Sequence, residues 1–377
     1  MKVALVVPSI KKYGWGTYCY NLANELSKKV DLCTFSLDTR EGINFVNEKI
    51  PNLYVKDKSK VSNFTKKISI SLKIVKKIKS GFDIYHSVDY PFSIFSFIKA
   101  KLNRRTSIIT GLGTFASKPL GNYGVSSWLL KKAYENSINT FLSEYTRDQV
   151  LKKVECKNFV IYPGVSYEKF QKVNNEKINY LRRMYGNNVL LGVGGLIKRK
   201  GFDITIKSLK IVKKKFPNVK YLIIGDGPER KNLLELVKNL NLQNNVKFLG
   251  EMINEEIIDF YHFCDIYVHT PVIVNGMYEG FGIVYLEASA CGKPCIGSNS
   301  GGVPSAVING VTGLLAKEGD IYSTANCIIK LLKDEKLRNK LGSNGKKRAK
   351  KLTWENMAKK YIKIYKNVMK GKKYALY

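Results

Sequence analysis

The sequence predicts an α/β protein made of two doubly wound, parallel-sheet domains in tandem. Three observations carry this prediction. Short apolar runs alternate with longer segments of helical periodicity, and the alternation starts afresh after Tyr162-Pro163-Gly164-Val165. The length of 377 residues also suits two domains of roughly 100 to 200 residues each. The first expected domain covers residues 1–163 and the second 164–353.

In the first half, Val3 to Val7 is an apolar run of strand length, Ser9 to Gly16 a glycine-containing loop, and Thr17 to about Lys28 a helix with Tyr18, Leu22 and Leu26 at helical spacing. Strand, loop and helix in that order open a parallel sheet. Further strands are expected near 30–35, 82–86, 107–110, 140–143 and 159–162, with helical patterns between most of them. In the second half the strand Val189–Val193 runs into Gly194-Gly195 and a basic loop, and a helix starts at Phe202. Strand Tyr221–Ile224 is followed by Gly225-Asp226-Gly227-Pro228, and strands near 246–249, 266–269 and 294–297 complete the sheet. From about Asp320 the chain reads as helical and lysine-rich. Two such domains leave a cleft at their strand ends, where open α/β sheets bind ligands.

Composition narrows the class. No apolar run approaches the roughly 18 to 20 residues that span a bilayer, and the start is too short an apolar run for a signal peptide, with Lys11 and Lys12 close behind. A cytoplasmic protein is expected, peripheral at the inner face of the cell membrane. The seven cysteines lie scattered without a C-x-x-C pair, which fits reduced thiols and argues against a zinc site. The 64 Lys+Arg against 30 Asp+Glu give a formal charge of +34. That field attracts nucleic acid, anionic lipid or phosphorylated substrates, and compositional drift toward Lys, Asn and Ile accounts for it equally well.

The chemistry concentrates in Glu279-Gly280-Phe281-Gly282-Ile283-Val284-Tyr285-Leu286-Glu287, a loop turning into a short helix that is apolar on nearly all sides. Such a helix is buried, so a carboxylate at Glu287 is costly unless it meets hydrogen-bond donors, and vicinal ribose hydroxyls are such donors. Backbone N–H groups near Gly282 and Ile283 suit a diphosphate at the helix start. Taken singly, Glu279 also reads as an acid favoured by the helix dipole and Glu287 as half of a buried salt bridge. The basic loop Lys198-Arg199-Lys200-Gly201 sits at a strand's carboxyl end, where cations neutralise a diphosphate leaving group. By contrast, Lys213-Lys214-Lys215 reads as a solvated helix face. In Gly14-Trp15-Gly16-Thr17-Tyr18-Cys19 the dinucleotide fingerprint is broken at Cys19. The loop suits close approach of backbone to a phosphate, or a plain turn.

These residues resemble the retaining glycosyltransferases of family 4, whose fold, GT-B, has two Rossmann-like domains facing across a cleft. The most specific match is Glu279 to Glu287, continued by Ala288 to Pro294 and by Gly301-Gly302-Val303-Pro304. Lesser matches are Gly225 to Glu229, Val246 to Gly250 and Arg199-Lys200-Gly201. The resemblance implies transfer of a sugar from a nucleoside diphosphate sugar with retention of configuration. Glu287 then binds the ribose, Glu279 contacts the sugar's hydroxyls, and Gly280, Phe281, Gly282 and Ile283 offer backbone N–H groups. Arg199 and Lys200 stabilise the leaving diphosphate, and Gly16 approaches it from the first domain. The last helix, 354–377, returns to that first, acceptor-side domain. Two departures stand out: Gly195 where the family often has Arg, and Leu112 where it often has a His that contacts the donor sugar. His86 and His269 read as core histidines.

The sequence contains no D-x-D motif, so no metal clamp is expected, and fixed cations with a helix N-terminus take its place. For the acceptor, Val61, Phe64, Ile68, Leu72 and Val75 form one stripe on a lysine-rich helical stretch. That pattern suits an anionic membrane surface or packing on the domain's own sheet, and it points to a lipid-linked or envelope-glycan acceptor. Trp128 to Lys132 is a second, lesser candidate. Two other readings are a non-catalytic sugar-nucleotide-binding relative and a nucleic-acid-binding protein; against the latter, the charge is spread without a nucleic-acid module.

Overall fold

The structure is a computed structural model that describes residues 1–11, 14–52, 70–121, 124–252 and 254–371. The chain divides into two units, Met1–Pro163 with Trp354–Tyr377 and Gly164–Thr353, each built on one Rossmann-like parallel sheet.

The first unit has seven strands: β1 (Lys2–Val7), β2 (Asp31–Ser36), β3 (Val46–Lys49), β4 (Ile84–Val88), β5 (Thr106–Gly111), β6 (Ile138–Phe141) and β7 (Asn158–Val160). Their order is β3-β2-β1-β4-β5-β6-β7, with all neighbours parallel. Val3 to Val7 and Ile84 to Val88 are wholly buried because helices cover both sheet faces, which is why these strands read as continuous apolar runs. One face packs Phe35, Ile74, Ile78 and Phe92, the other Ile109, Leu130, Tyr134 and Phe141. The strand order reverses between β1 and β4.

In the second unit the strands are β8 (Val189–Val193), β9 (Lys220–Ile224), β10 (Val246–Gly250), β11 (Ile266–Val268), β12 (Cys295–Ser298) and β13 (Gly313–Ala316). They run in the order β10-β9-β8-β11-β12-β13, again all parallel. Here the reversal falls between β8 and β11. Leu190, Ile206, Leu209, Tyr221, Ile266, Ile296 and Ile328 belong to its core.

Two strands escaped the sequence reading, β3 and β13. Both are sheet edges: Val46-Asn47-Glu48-Lys49 is polar and little buried, and Gly313-Leu314-Leu315-Ala316, though apolar and mostly buried, is a four-residue run that opens on a glycine. The helix expected over the lysine-rich stretch is helical at 70–77, and Val61, Phe64 and Ile68 lie outside the described residues. Within the described part the stripe is rotated from the expected one. Ile74 and Ile78 are fully buried, whereas Leu72 is 66% exposed.

Helix Trp354–Met369 belongs to the first unit and packs on helix Trp15–Ser27. A buried polar network ties it down: His86 Nδ1 meets Tyr365 OH at 2.6 Å and Nε2 meets Thr110 Oγ1 at 2.7 Å. Tyr361 OH meets Tyr18, Thr110 and Thr140 at 3.0, 3.0 and 3.2 Å. His86 is thus a satisfied core histidine, and burial pushes it down to about 3. Among the described residues no helix is long and apolar enough to cross a membrane.

Candidate functional site

The carboxyl ends of β8 and β11, on either side of the strand-order reversal, hold the second unit's charged cluster. After β8 the chain runs through Gly194-Gly195 into a single 3-10 turn, Lys198–Lys200. Gly201 closes that turn in the left-handed region, φ 66°, and a Cβ there would sit 1.8 Å from the Thr270 carbonyl. Only glycine lets the basic turn lie this close to the chain leaving β11. The Arg199 carbonyl accepts from Val272 N–H at 2.8 Å, which fixes the turn to the same segment.

From this turn Arg199 Nη1 and Lys200 Nζ both donate to Glu279 Oε2, at 3.0 and 2.6 Å. All three side chains are largely buried, at 22%, 17% and 14% exposure. Burial alone would raise the Glu279 carboxyl, but the Lys200 and Arg199 charges override it and hold the group at about 2. Oε1 of Glu279 makes no hydrogen bond among the described residues. Lys198 turns away, 62% exposed and paired at 3.6 Å with Asp203, so the turn contributes two cations rather than three.

The backbone of Glu279 is held by the Gly301-Gly302 turn, where Gly302 N–H donates to the Glu279 carbonyl at 2.7 Å. A Cβ on Gly301 would lie 2.7 Å from that same oxygen. The helix Ile283–Ala290 starts from Gly282, in the left-handed region at φ 89°. No hydrogen bond occupies the N–H groups of Gly282 and Ile283 among the described residues, so the helix start is available to an anion. Phe281 is buried beneath it. One turn on, Glu287 accepts from Tyr261 OH at 2.8 Å through Oε2. Burial raises the Glu287 carboxyl in spite of that bond, and Oε1 has no partner among the described residues.

The structure therefore brings together Arg199, Lys200, Glu279, Gly280, Phe281, Gly282, Ile283 and Glu287. It offers two cations, free backbone N–H groups and two carboxylates that each keep one oxygen open. That combination suits a phosphorylated ligand with hydroxyl groups. Gly16 lies in the first unit, where a Cβ would fall 2.2 Å from the Lys11 carbonyl. Its bareness is required by that backbone packing.

Two groups were missed from sequence, Tyr285 and Asp89. Tyr285 OH donates to the His269 carbonyl at 2.6 Å and supports the floor of the cluster. His269 is the core histidine expected, 1% exposed and pushed down to about 3 by burial, with Lys200 adding to the effect. Unlike His86, it has no partner on either ring nitrogen among the described residues. In the first unit, Asp89 follows β4 at the strand-order reversal, 3% exposed. Its backbone is in the left-handed region, φ 56°, and Oδ1 accepts from Leu112 N–H at 2.9 Å. Burial pushes its carboxyl up to about 7. A lone Asp carries no spacing signal, so only the fold reveals it.

At residues 174–348 the chain matches the family model described as Glycosyl transferases group 1. An uncharacterized glycosyltransferase of Methanocaldococcus jannaschii is 30% identical over 349 residues, 92% of each chain. The capsular polysaccharide biosynthesis glycosyltransferase CapM of Staphylococcus aureus is 33% identical over 215 residues, 55% of each chain. Among solved structures, that of Anabaena HepE in complex with UDP has the same fold, with a TM-score of 0.82 at 21% identity over 97% of this chain and 100% of that one.

Proposed function

Because the chain belongs to the group 1 glycosyl transferases, we propose that it moves a sugar from a nucleoside diphosphate donor to a hydroxyl acceptor with retention of configuration. The observation that carries this reading is the Arg199–Lys200–Glu279 cluster beside the glycine-started helix Ile283–Ala290. The Anabaena protein whose fold this chain shares was solved with UDP, which supports a nucleotide-bearing donor.

In this reading Arg199 and Lys200 leave Glu279 and bind the diphosphate, whose charge grows as the sugar departs. The two cations act there in the place of a metal clamp, held within reach by their shared turn. Glu279, released from them, accepts hydrogen bonds from the donor sugar's hydroxyls. The Gly282 and Ile283 N–H groups hold a phosphate oxygen, and Glu287 Oε1 takes the ribose hydroxyls. Same-face substitution follows: the sugar–phosphate bond breaks, the acceptor oxygen bonds to the anomeric carbon, and the departing phosphate oxygen takes the acceptor's proton. The first unit supplies the acceptor site.

We further propose a lipid-linked or envelope-glycan acceptor and a cytoplasmic chain at the periphery of an anionic membrane. In support, CapM is named for capsular polysaccharide, and exposed Leu72 stands among Lys73, Lys76 and Lys77. The test is a panel of nucleotide sugars screened for binding and for slow hydrolysis without acceptor. Binding with hydrolysis of one donor is expected. Binding without turnover under any acceptor would favour a non-catalytic relative, and no binding at all would overturn the reading.

A further inference from the structure

The first unit carries a buried acid that the donor chemistry above does not use. Its sheet also reverses strand order, between β1 and β4, and ligands of open α/β sheets gather at the carboxyl ends flanking such a reversal. Asp89 stands there, at the end of β4, 3% exposed and with its backbone in the left-handed region. Oδ1 is taken by the Leu112 N–H at the end of β5. Oδ2 makes no hydrogen bond among the described residues. A buried carboxylate is costly unless something compensates it, and among the described residues no cation pairs with Asp89. Asp38, also in this region, is already satisfied by Ser9 Oγ and Ile10 N–H.

Three residues beyond Leu112, the Phe115 ring meets Trp15 edge-on, with centroids 4.8 Å apart at 82°. Trp15 is 44% exposed, an aromatic face left open on the first turn of its helix. The segment Leu112 to Phe115 thus touches both groups, Asp89 through its first residue and Trp15 through its last, and an open aromatic face with a carboxylate oxygen in the same part of the unit fits a sugar ring, which offers an apolar C–H face to one and hydroxyl donors to the other. It does not fit a phosphate or carboxylate, which Asp89 would repel.

We infer that this part of the first unit is the acceptor site, and that it takes a neutral saccharide end, with Asp89 Oδ2 accepting from a sugar hydroxyl and Trp15 stacking on the ring. The inference rests on the glycosyl-transfer reading above and names its acceptor class. Any anionic lipid carrier then lies beyond the sugar that reacts.

The test uses the full chain. Wild type, Asp89→Asn and Trp15→Ala are titrated with neutral p-nitrophenyl glycosides of glucose, galactose, mannose and N-acetylglucosamine, and with L-malate as an anionic probe. Binding is read by saturation-transfer NMR and transfer by release of nucleoside diphosphate; UDP affinity is measured separately. At least one neutral glycoside is expected to bind and accept sugar. Its KM should rise roughly 10- to 100-fold in Asp89→Asn and about 10-fold in Trp15→Ala, with UDP affinity unchanged. Equal KM in all three proteins, preference for L-malate, or silence of the whole neutral panel while UDP still binds would overturn the inference. Loss of UDP binding in wild type would instead strike the donor reading, leaving the glycoside titration to decide the acceptor site.

Discussion

Replacing Glu279 by Gln removes one charge from between two cations, and the consequences separate stability from chemistry. At 2.6 and 3.0 Å and an effective dielectric of about 20, the gross attractions are about 6 and 5.5 kcal/mol. Most of that is offset by desolvation of three largely buried side chains. The net appears in the carboxyl itself, which ionises at about 2 instead of its ordinary 4.5, equivalent to about 3 kcal/mol. Because the folded group is the more acidic, its contribution is complete above about pH 4.5 and is lost as pH falls toward 2. Glu279→Gln should therefore cost about 1 to 3 kcal/mol in urea unfolding at pH 7, and the gap to wild type should narrow between pH 4.5 and pH 3. Turnover should drop about 100-fold or more. UDP, however, should bind at least as tightly, since Arg199 and Lys200 no longer have a competing carboxylate. Unchanged turnover together with unchanged donor affinity would refute the reasoning.

Other substitutions test neighbouring parts of the account. Glu287→Gln should weaken UDP binding about 10-fold or more by calorimetry. Its effect on stability has the opposite sign to that of Glu279→Gln: burial raises the Glu287 carboxyl, so ionisation costs stability as pH rises above about 4.5, and the variant should be the more stable at pH 7. Asp89→Asn follows the same rule. With the folded carboxyl at about 7, its cost is absent below about pH 4 and grows toward pH 7. The variant should gain about 1 to 4 kcal/mol at pH 7.5 and nothing at pH 4. Gly201→Ala must move the Thr270 carbonyl or the basic turn, because its Cβ lies 1.8 Å from that oxygen at φ 66°. Loss of UDP affinity by at least 10-fold is expected in the folded variant. At Gly195 the nearest atom to a Cβ is the Asp226 carbonyl at 3.9 Å, so Gly195→Arg has room to add a cation, and UDP affinity should rise several-fold in low salt.

Much of this was legible in the sequence, for identifiable reasons. Central strands such as β1, β4 and β8 are buried on both faces, so their apolar runs stand out. Edge strand β3 is polar and lacks that signal, and β13 is apolar but too short, at four residues with a leading glycine, to stand out. The charged cluster was legible because Glu279 and Glu287 share one short segment with glycines between them, and Arg199 and Lys200 lie in the loop after a strand. What escaped depends on contacts across the chain. Tyr285 matters through the His269 carbonyl, and Asp89 through Leu112, pairings that no spacing encodes. The lysine-rich helix misled by its periodicity, since two apolar stripes one residue apart compete and only packing selects Ile74 and Ile78 over Leu72.

The central claim is that Arg199 and Lys200 hold the diphosphate of a sugar donor, and titration calorimetry with UDP and GDP tests it most directly. Wild type should bind at least one of them, with affinity falling as salt rises, and Arg199→Ala/Lys200→Ala should bind it about 100-fold more weakly or not at all. Equal affinity in the double variant, with the fold intact by circular dichroism, would contradict the account.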